Sequence, residues 1–192
     1  MKRILLTITA ICIGFGVHAA ELGDDGLHKA PWMRDTFRDL AEDLAEANDE
    51  GKRLLIMFEQ RGCIYCTKMH EEVFPAEDVT AMIEENYFVV QLNLYGDIEV
   101  TDFDGETLSE KNMARKWGIL FTPTMLFIDD TVEDGLTAPQ ATVATMPGAF
   151  GKGTTMDMLS WVAEKRYELE NGEDFQRYHA RRIQERNDGS FD

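Results

Sequence analysis

The chain has 192 residues, 44% of them hydrophobic and 29% charged, with a formal net charge of −17. That length and mixture fit one globular domain with a short appendage and argue against disorder along the whole chain. The acidity excludes binding to nucleic acid by phosphate neutralisation and attachment to an anionic lipid surface. Three cysteines are too few for a disulfide scaffold and enough for one reactive pair.

Lys2 and Arg3 open the chain, an apolar run follows from Ile4 to Val17, and His18-Ala19-Ala20 closes it before Glu21. This is the layout of a secretory signal peptide over 1–20, with cleavage expected after Ala19 or Ala20. The run is short for a transmembrane anchor, which needs about 20 apolar residues. Cleavage removes Cys12, Lys2 and Arg3, leaving Cys63 and Cys66 as the only cysteines and a net charge of −19. The expected mature protein is soluble and periplasmic, with no membrane insertion after cleavage, in an oxidising compartment with one close cysteine pair.

Residues 21–34 read as a loose lead-in. From Met33 a helical period begins, with Phe37, Leu40 and Leu44 inward and Gly51 as its stop. Leu54–Phe58 is a continuous apolar run of the kind found in buried central strands. Gly62-Cys63-Ile64-Tyr65-Cys66 follows directly and leads into a helix to about Glu72, and Pro75 separates it from a second helix over 76–86. Tyr87–Leu92 reads as another buried strand. Residues 95–107 read as a loop or hairpin, and Leu108–Trp117 as a helix stopped by Gly118. Thr124–Ile128 and Ala141–Met146 read as strands on either side of a turn-rich stretch. A helix over 154–170 and a charged helix over 175–185 complete the chain, with Asn171-Gly172 between them. Strand–helix–strand order implies parallel pairing, and two late strands with a short connection imply antiparallel pairing. The fold class is α/β, a mixed central sheet flanked by helices.

The cysteine pair lies where a buried strand gives way to a helix. Cys63 then sits at a helix N-terminus, where free N–H groups and the helix dipole stabilise a thiolate. Cys66 is one turn inward, within reach of a disulfide. The thiolate is the attacking species, so Cys63 reads as nucleophile and Cys66 as resolving thiol. Zinc also uses Cys-x-x-Cys but needs two more ligands. The mature chain offers only His28, His70 and His179, of which His70, four residues after Cys66, could share its helix face. A purely structural disulfide is disfavoured because so short a loop stabilises little. The acidic stretch Asp97, Glu99, Asp102, Asp104 does not fit the EF-hand pattern. No metal and no bound cofactor are expected. Met57, Met69, Met82, Met113 and Met125 read as core filling, and Trp117 as packing.

Thr122-Pro123-Thr124 precedes a strand, and with it the chain resembles the thioredoxin superfamily over about residues 35–168. Strand, Cys-x-x-Cys at a helix start, and Gly118-Ile119-Leu120-Phe121-Thr122-Pro123-Thr124 occur in the family's order, and Met146-Pro147-Gly148 is similar to its last strand-to-helix turn. The resemblance implies a thioredoxin-like fold in which 95–107 is an insert and 169–192 an additional charged helix and tail. It implies a cis Pro123 packed on the cysteines, and a Thr122 backbone that pairs with extended substrate; Tyr65, exposed by its position between the cysteines, reads as shaping that contact. Where the family has a buried Asp, six residues before the first Cys, this chain has Met57. The nearest carboxylate is Glu59, which strand alternation returns to the same face. Gly62 stands where the family has Trp, and the 57-residue interval from Cys66 to Pro123 is long for a compact member.

The implied activity is that of an enzyme, a protein thiol–disulfide oxidoreductase, read here as a disulfide reductase. An oxidase or isomerase with the same residues and a non-catalytic binding module are the alternatives. The uncharged Ile64-Tyr65 between the cysteines suggests a potential between about −270 and −120 mV. Phe58-Glu59, Gly62–Cys66 and Phe175–His179 resemble the exported thioredoxins of bacterial sulfur-oxidation systems, the SoxW type. That narrower resemblance implies protein disulfide substrates that include a sulfur carrier, and electrons from a transmembrane donor of the DsbD/CcdA type.

Overall fold

The computed structural model describes residues 21–169 and 173–189. The expected leader, 1–20, and the Asn171-Gly172 break lie outside the described residues. In chain order the elements are β1 (Glu21–Leu22), β2 (His28–Lys29), β3 (Met33–Arg34), α1 (Leu40–Asp49), β4 (Arg53–Glu59), α2 (Ile64–Glu72), α3 (Glu77–Asn86) and β5 (Tyr87–Asn93). There follow β6 (Glu99–Thr101), β7 (Thr107–Ser109), α4 (Glu110–Lys116), β8 (Thr124–Ile128), β9 (Thr142–Pro147), α5 (Lys152–Ala163), a 3₁₀ turn (Arg166–Glu168) and α6 (Phe175–Asn187).

A five-stranded sheet in the order β3-β5-β4-β8-β9 forms the centre. β5 runs parallel to both β3 and β4, whereas β8 is antiparallel to β4 and β9. The continuous apolar runs of β4 and β8 are explained by burial on both faces. Leu55, Met57, Val89, Met125 and Phe127 face one layer, built on α2, α3, α5 and α6. Leu54, Ile56, Phe58, Phe88 and Val90 face the other, with α1 and α4. Of the methionines read as core, Met57, Met69, Met113 and Met125 are fully buried, and Met82 packs at the edge.

Two expectations are corrected. The helix expected from Met33 starts only at Leu40, and Phe37, expected inward, is 95% exposed. Met33 and Arg34 are taken by β5 as an edge strand, Arg38 turns through φ +58°, and Asp39 caps α1 by accepting from the Ala41 and Glu42 amides. At the other end α5 stops at Ala163, where Lys165 at φ +50° breaks the helical path expected to reach residue 170. The lead-in also forms structure. β1 and β2 pair, and Leu27 and Trp32 are buried.

The β6–β7 hairpin runs two residues past the expected 95–107 excursion, so the helix expected from Leu108 starts at Glu110, and Asp102 ties the hairpin down. That carboxylate is 2% exposed and accepts from Trp117 Nε1 (2.7 Å), the Ala138 amide (2.8 Å) and Lys116 Nζ (2.9 Å). The acidic stretch from Asp97 to Asp104 thus supplies a buried anchor between the insert, α4 and the 129–141 loop.

Candidate functional site

β4 delivers the chain to the cysteines. Its last residue, Glu59, is followed by a short turn in which Gly62 takes φ +70°, a conformation that disfavours side chains with a Cβ. Cys63 is the N-cap of α2, and its Sγ accepts from the Cys66 amide at 3.0 Å. Cys63 and Cys66 form a disulfide, with Cα atoms 5.2 Å apart. Cys63 retains 5% exposure and Cys66 none. The helix N-terminus therefore points its free N–H groups at the more accessible sulfur.

Across from the pair stands the 118–124 loop, and the Thr122–Pro123 bond is cis, as the resemblance implied. Cys63 Sγ lies 3.5 Å from the Thr122 carbonyl oxygen and accepts from Thr122 Oγ1 at 3.3 Å. Gly148 N–H bonds the Pro123 carbonyl at 2.7 Å, which ties the loop to the end of β9. Around this cleft Ile64, Tyr65, Leu120 and Phe121 are all more than half exposed. The sequence-derived set Cys63, Cys66, Tyr65, Thr122 and Pro123 thus comes from the N-cap and first turn of α2 and from the 118–124 loop that meets Cys63.

Behind the disulfide lies a polar cluster that sequence reasoning only partly anticipated. Glu59 is completely buried, on the face of β4 that also carries Met57. Its Oε1 pairs with His70 Nε2 at 2.9 Å, and its Oε2 accepts from Gln91 Nε2 at 2.6 Å. Gln91 also donates to the His28 carbonyl and accepts from Lys29 Nζ, both at 2.8 Å. His28 stacks on His70 with ring centroids 4.6 Å apart, and Trp32 and Phe74 complete the aromatic box. Thr67 donates to the Cys63 carbonyl at 3.2 Å, and its Oγ1 lies 3.3 Å from His28 Nε2. Burial and the neighbouring His70 hold His28 below its ordinary value, against the pull of Glu59 and Glu71.

His28, Glu59 and His70 bring ligand-type atoms within 4.8 Å of one another. His70 Nε2 and both Glu59 oxygens are nevertheless committed to hydrogen bonds, His28 Nε2 lies against Thr67, and the two imidazoles lie face to face. The arrangement is a hydrogen-bond chain. The signal for His70 was its spacing: four residues after Cys66 places it on the buried face of α2. The lead-in's contribution through His28 had no local signal, because it depends on where β2 docks.

The sequence model of one family, described as a thioredoxin-like domain, matches residues 40–150, more than half of the chain. No curated protein matches it. Among solved structures it is similar to a thioredoxin-fold protein from Helicobacter pylori, with TM-score 0.56 and 16% identity over 71% of this chain and 85% of that one. A thioredoxin from Thermus thermophilus gives TM-score 0.50 and 20% identity over 66% of this chain and 85% of that one. At these identities the structural likeness speaks for the fold.

Proposed function

Because this chain belongs to the thioredoxin-like family, we propose that it is a protein thiol–disulfide oxidoreductase working through the Cys63–Cys66 couple as a disulfide reductase. The carrying observation is the disulfide itself, closed at the N-terminus of α2 and facing the Thr122–Pro123 loop. In the reduced enzyme Cys63 thiolate attacks one sulfur of a substrate disulfide, and the other leaves as a thiolate that takes a proton from water. Cys66 then attacks Cys63 in the mixed disulfide, closes the Cys63–Cys66 bond and releases the second substrate thiol. Two electrons pass from enzyme dithiol to substrate. The Thr122 backbone offers strand-like pairing to the substrate segment flanking its cysteine. The exposed Tyr65, Ile64, Leu120 and Phe121 give that segment an apolar rim.

The test is trapping. Cys66→Ser should accumulate a mixed disulfide through Cys63, because attack proceeds and resolution does not, whereas Cys63→Ser should accumulate none. Equal trapping by both variants would overturn the role assignment. Absence of any dithiothreitol-driven insulin reduction by the unaltered protein would overturn the oxidoreductase reading in favour of a binding module.

The leader-like 1–20 segment supports export to the periplasm, and among the described residues no helix is long and apolar enough to cross a membrane. Protein from its native host should begin at Ala20 or Glu21, and a retained Met1 by mass spectrometry would refute this. An oxidising compartment requires electrons from elsewhere. In this reading they come from a transmembrane dithiol donor of the DsbD/CcdA type, and the substrates include a sulfur-carrier protein, as the SoxW-type resemblance suggests.

A further inference from the structure

The oxidoreductase reading leaves one step without a proton acceptor. Cys66 has no exposed surface, and a thiol must lose its proton before it can attack. Burial in apolar surroundings makes that loss harder, and Met69, Val73 and Trp32 belong to the core layer on this side of the sheet.

The neighbourhood holds a base of the right kind. His70 lies one helical turn beyond Cys66, and both are on the buried face of α2. Residues four apart on a helix are side-chain neighbours. His70 Nε2 pairs with Glu59 Oε1, and the second Glu59 oxygen accepts from Gln91. With Nε2–H donating to the carboxylate, the neutral imidazole carries its lone pair on Nδ1. That atom is buried and, among the described residues, has no hydrogen-bond partner. A buried unpartnered acceptor is costly, and one turn from a buried thiol it has a use.

We infer that His70 Nδ1 accepts the Cys66 proton during resolution of the mixed disulfide, with Glu59 as the positioning residue that fixes its tautomer and faces the imidazolium formed. This rests on the oxidoreductase reading and adds the base to it. The proton moves from Cys66 Sγ to His70 Nδ1. The Cys66 thiolate attacks Cys63 Sγ, the Cys63–Cys66 bond forms, the bond from Cys63 to substrate breaks, and the substrate leaves as thiolate. That thiolate is protonated by water, and His70 returns its proton when an external dithiol next reduces the pair.

The groups facing His70 fit the role. From β4 there is Glu59 and from β2 His28, stacked on the ring, while Cys66 shares the buried face of α2 one turn before it. Glu71 acts on His28 from α2, and Lys29 reaches the cluster only through Gln91, with its charge shared with Asp25. Trp32 and Phe74 are uncharged. His28 titrates below its ordinary value, so it is neutral at pH 7 and the imidazolium meets no second positive ring.

The test separates the two chemical steps in the full-length protein. A peptide disulfide with a chromogenic leaving thiol reports attack by Cys63, and appearance of the second thiol reports resolution. His70→Gln keeps an amide near the Glu59 carboxylate but removes Nδ1. It should slow resolution at pH 7 about a hundredfold, the lower end of general-base contributions. Attack by Cys63 and its alkylation by iodoacetamide should be unchanged. The deficit should shrink as pH rises, because hydroxide grows tenfold per pH unit and takes the Cys66 proton in place of the missing base. Glu59→Gln should show a smaller, roughly tenfold loss confined to the same step, and it carries the test if His70→Gln does not fold. Resolution at the unaltered rate in either folded variant overturns the inference, as does a loss equal in both steps or undiminished at pH 9.5. In each of those results the unaltered protein still reduces the peptide, so the oxidoreductase reading stands. Its own failure appears instead as no reduction by the unaltered protein.

Discussion

At the residue scale, the cysteine pair was legible from its immediate neighbours, an apolar strand before Cys63 and a helix after it, whereas Pro123 was legible through the resemblance of its Gly-Ile-x-x-x-Pro-Thr segment to the family's. Glu59 and His70 were visible only as a carboxylate on the right strand face and a histidine at helical spacing. Their union needs β4 and α2 to pack at one depth, and no local pattern encodes that. Asp43 was hidden for the same reason. It reads as part of the polar side of α1, yet it is 3% exposed, with Thr36 donating to it at 3.3 Å. Burial, helped by Asp39 and Glu46 and opposed by the Thr36 hydroxyl and Arg38, pushes its carboxyl up from 3.8 to about 6. A carboxyl whose folded value is raised binds more protons folded than unfolded between those two values. Its contribution therefore weakens the fold as pH rises through that window and is fully unfavourable above it. Asp43→Asn, which keeps the acceptor for Thr36 and never ionises, should raise stability at pH 7.5 by about 1–2 kcal/mol, since a tenfold change in proton affinity is worth about 1.36 kcal/mol. It should also flatten stability between pH 4 and 6. Urea titrations at pH 4.5 and 7.5 check this, and an equal effect at both would refute it.

At the element scale, runs long enough to show their own period were placed within a few residues, as for β4, β5, β8 and α3. Two-residue strands such as β3 carry no period and are defined by the partner that claims them, which is why the helix expected from Met33 failed. The C-terminal helix was read as strongly charged, and the structure shows how that charge is used. Asp157 of α5, with no exposed surface, accepts from Arg186 at 2.7 and 2.8 Å and from His179 at 2.6 Å, both on α6. Tyr178 and Phe175 pack beside it on Trp161 and its neighbours. Burial alone would raise the Asp157 carboxyl, but the Arg186 and His179 hydrogen bonds outweigh it and hold it below the usual aspartate range. A lowered folded value gives stability that is present at neutral pH and lost as pH falls through that value. Asp157→Asn should cost about 1–3 kcal/mol. This lies below the 3–5 kcal/mol of a fully buried pair because Arg186 and His179 keep solvent contact. The loss should concentrate in α6, so amide exchange there should quicken ahead of exchange in β4. Uniform acceleration through both elements would show that α6 does not open separately.

At the scale of the whole molecule, the dominant quantity was available from composition alone: a net charge of −17, or −19 without residues 1–20. The rim of the cleft adds nothing to it, since Ile64, Tyr65, Leu120 and Phe121 are uncharged and exposed. The cleft therefore supplies apolar contact at short range while the acidic remainder acts at long range. Such a field changes how often a charged substrate arrives, not how fast sulfur exchanges once it is seated. It follows that a peptide disulfide flanked by lysines should be reduced faster than its glutamate-flanked counterpart at low salt. The ratio should be about tenfold at 10 mM salt, where the screening length is about 30 Å, and should approach unity at 0.5 M, where it is below about 8 Å. The difference should lie in the second-order rate at low substrate and be absent from the maximal rate. Stopped-flow measurement of both peptides at the two salt concentrations checks this. A preference that survives 0.5 M salt would mean that discrimination is made by direct contacts in the cleft and that the acidity serves solubility alone.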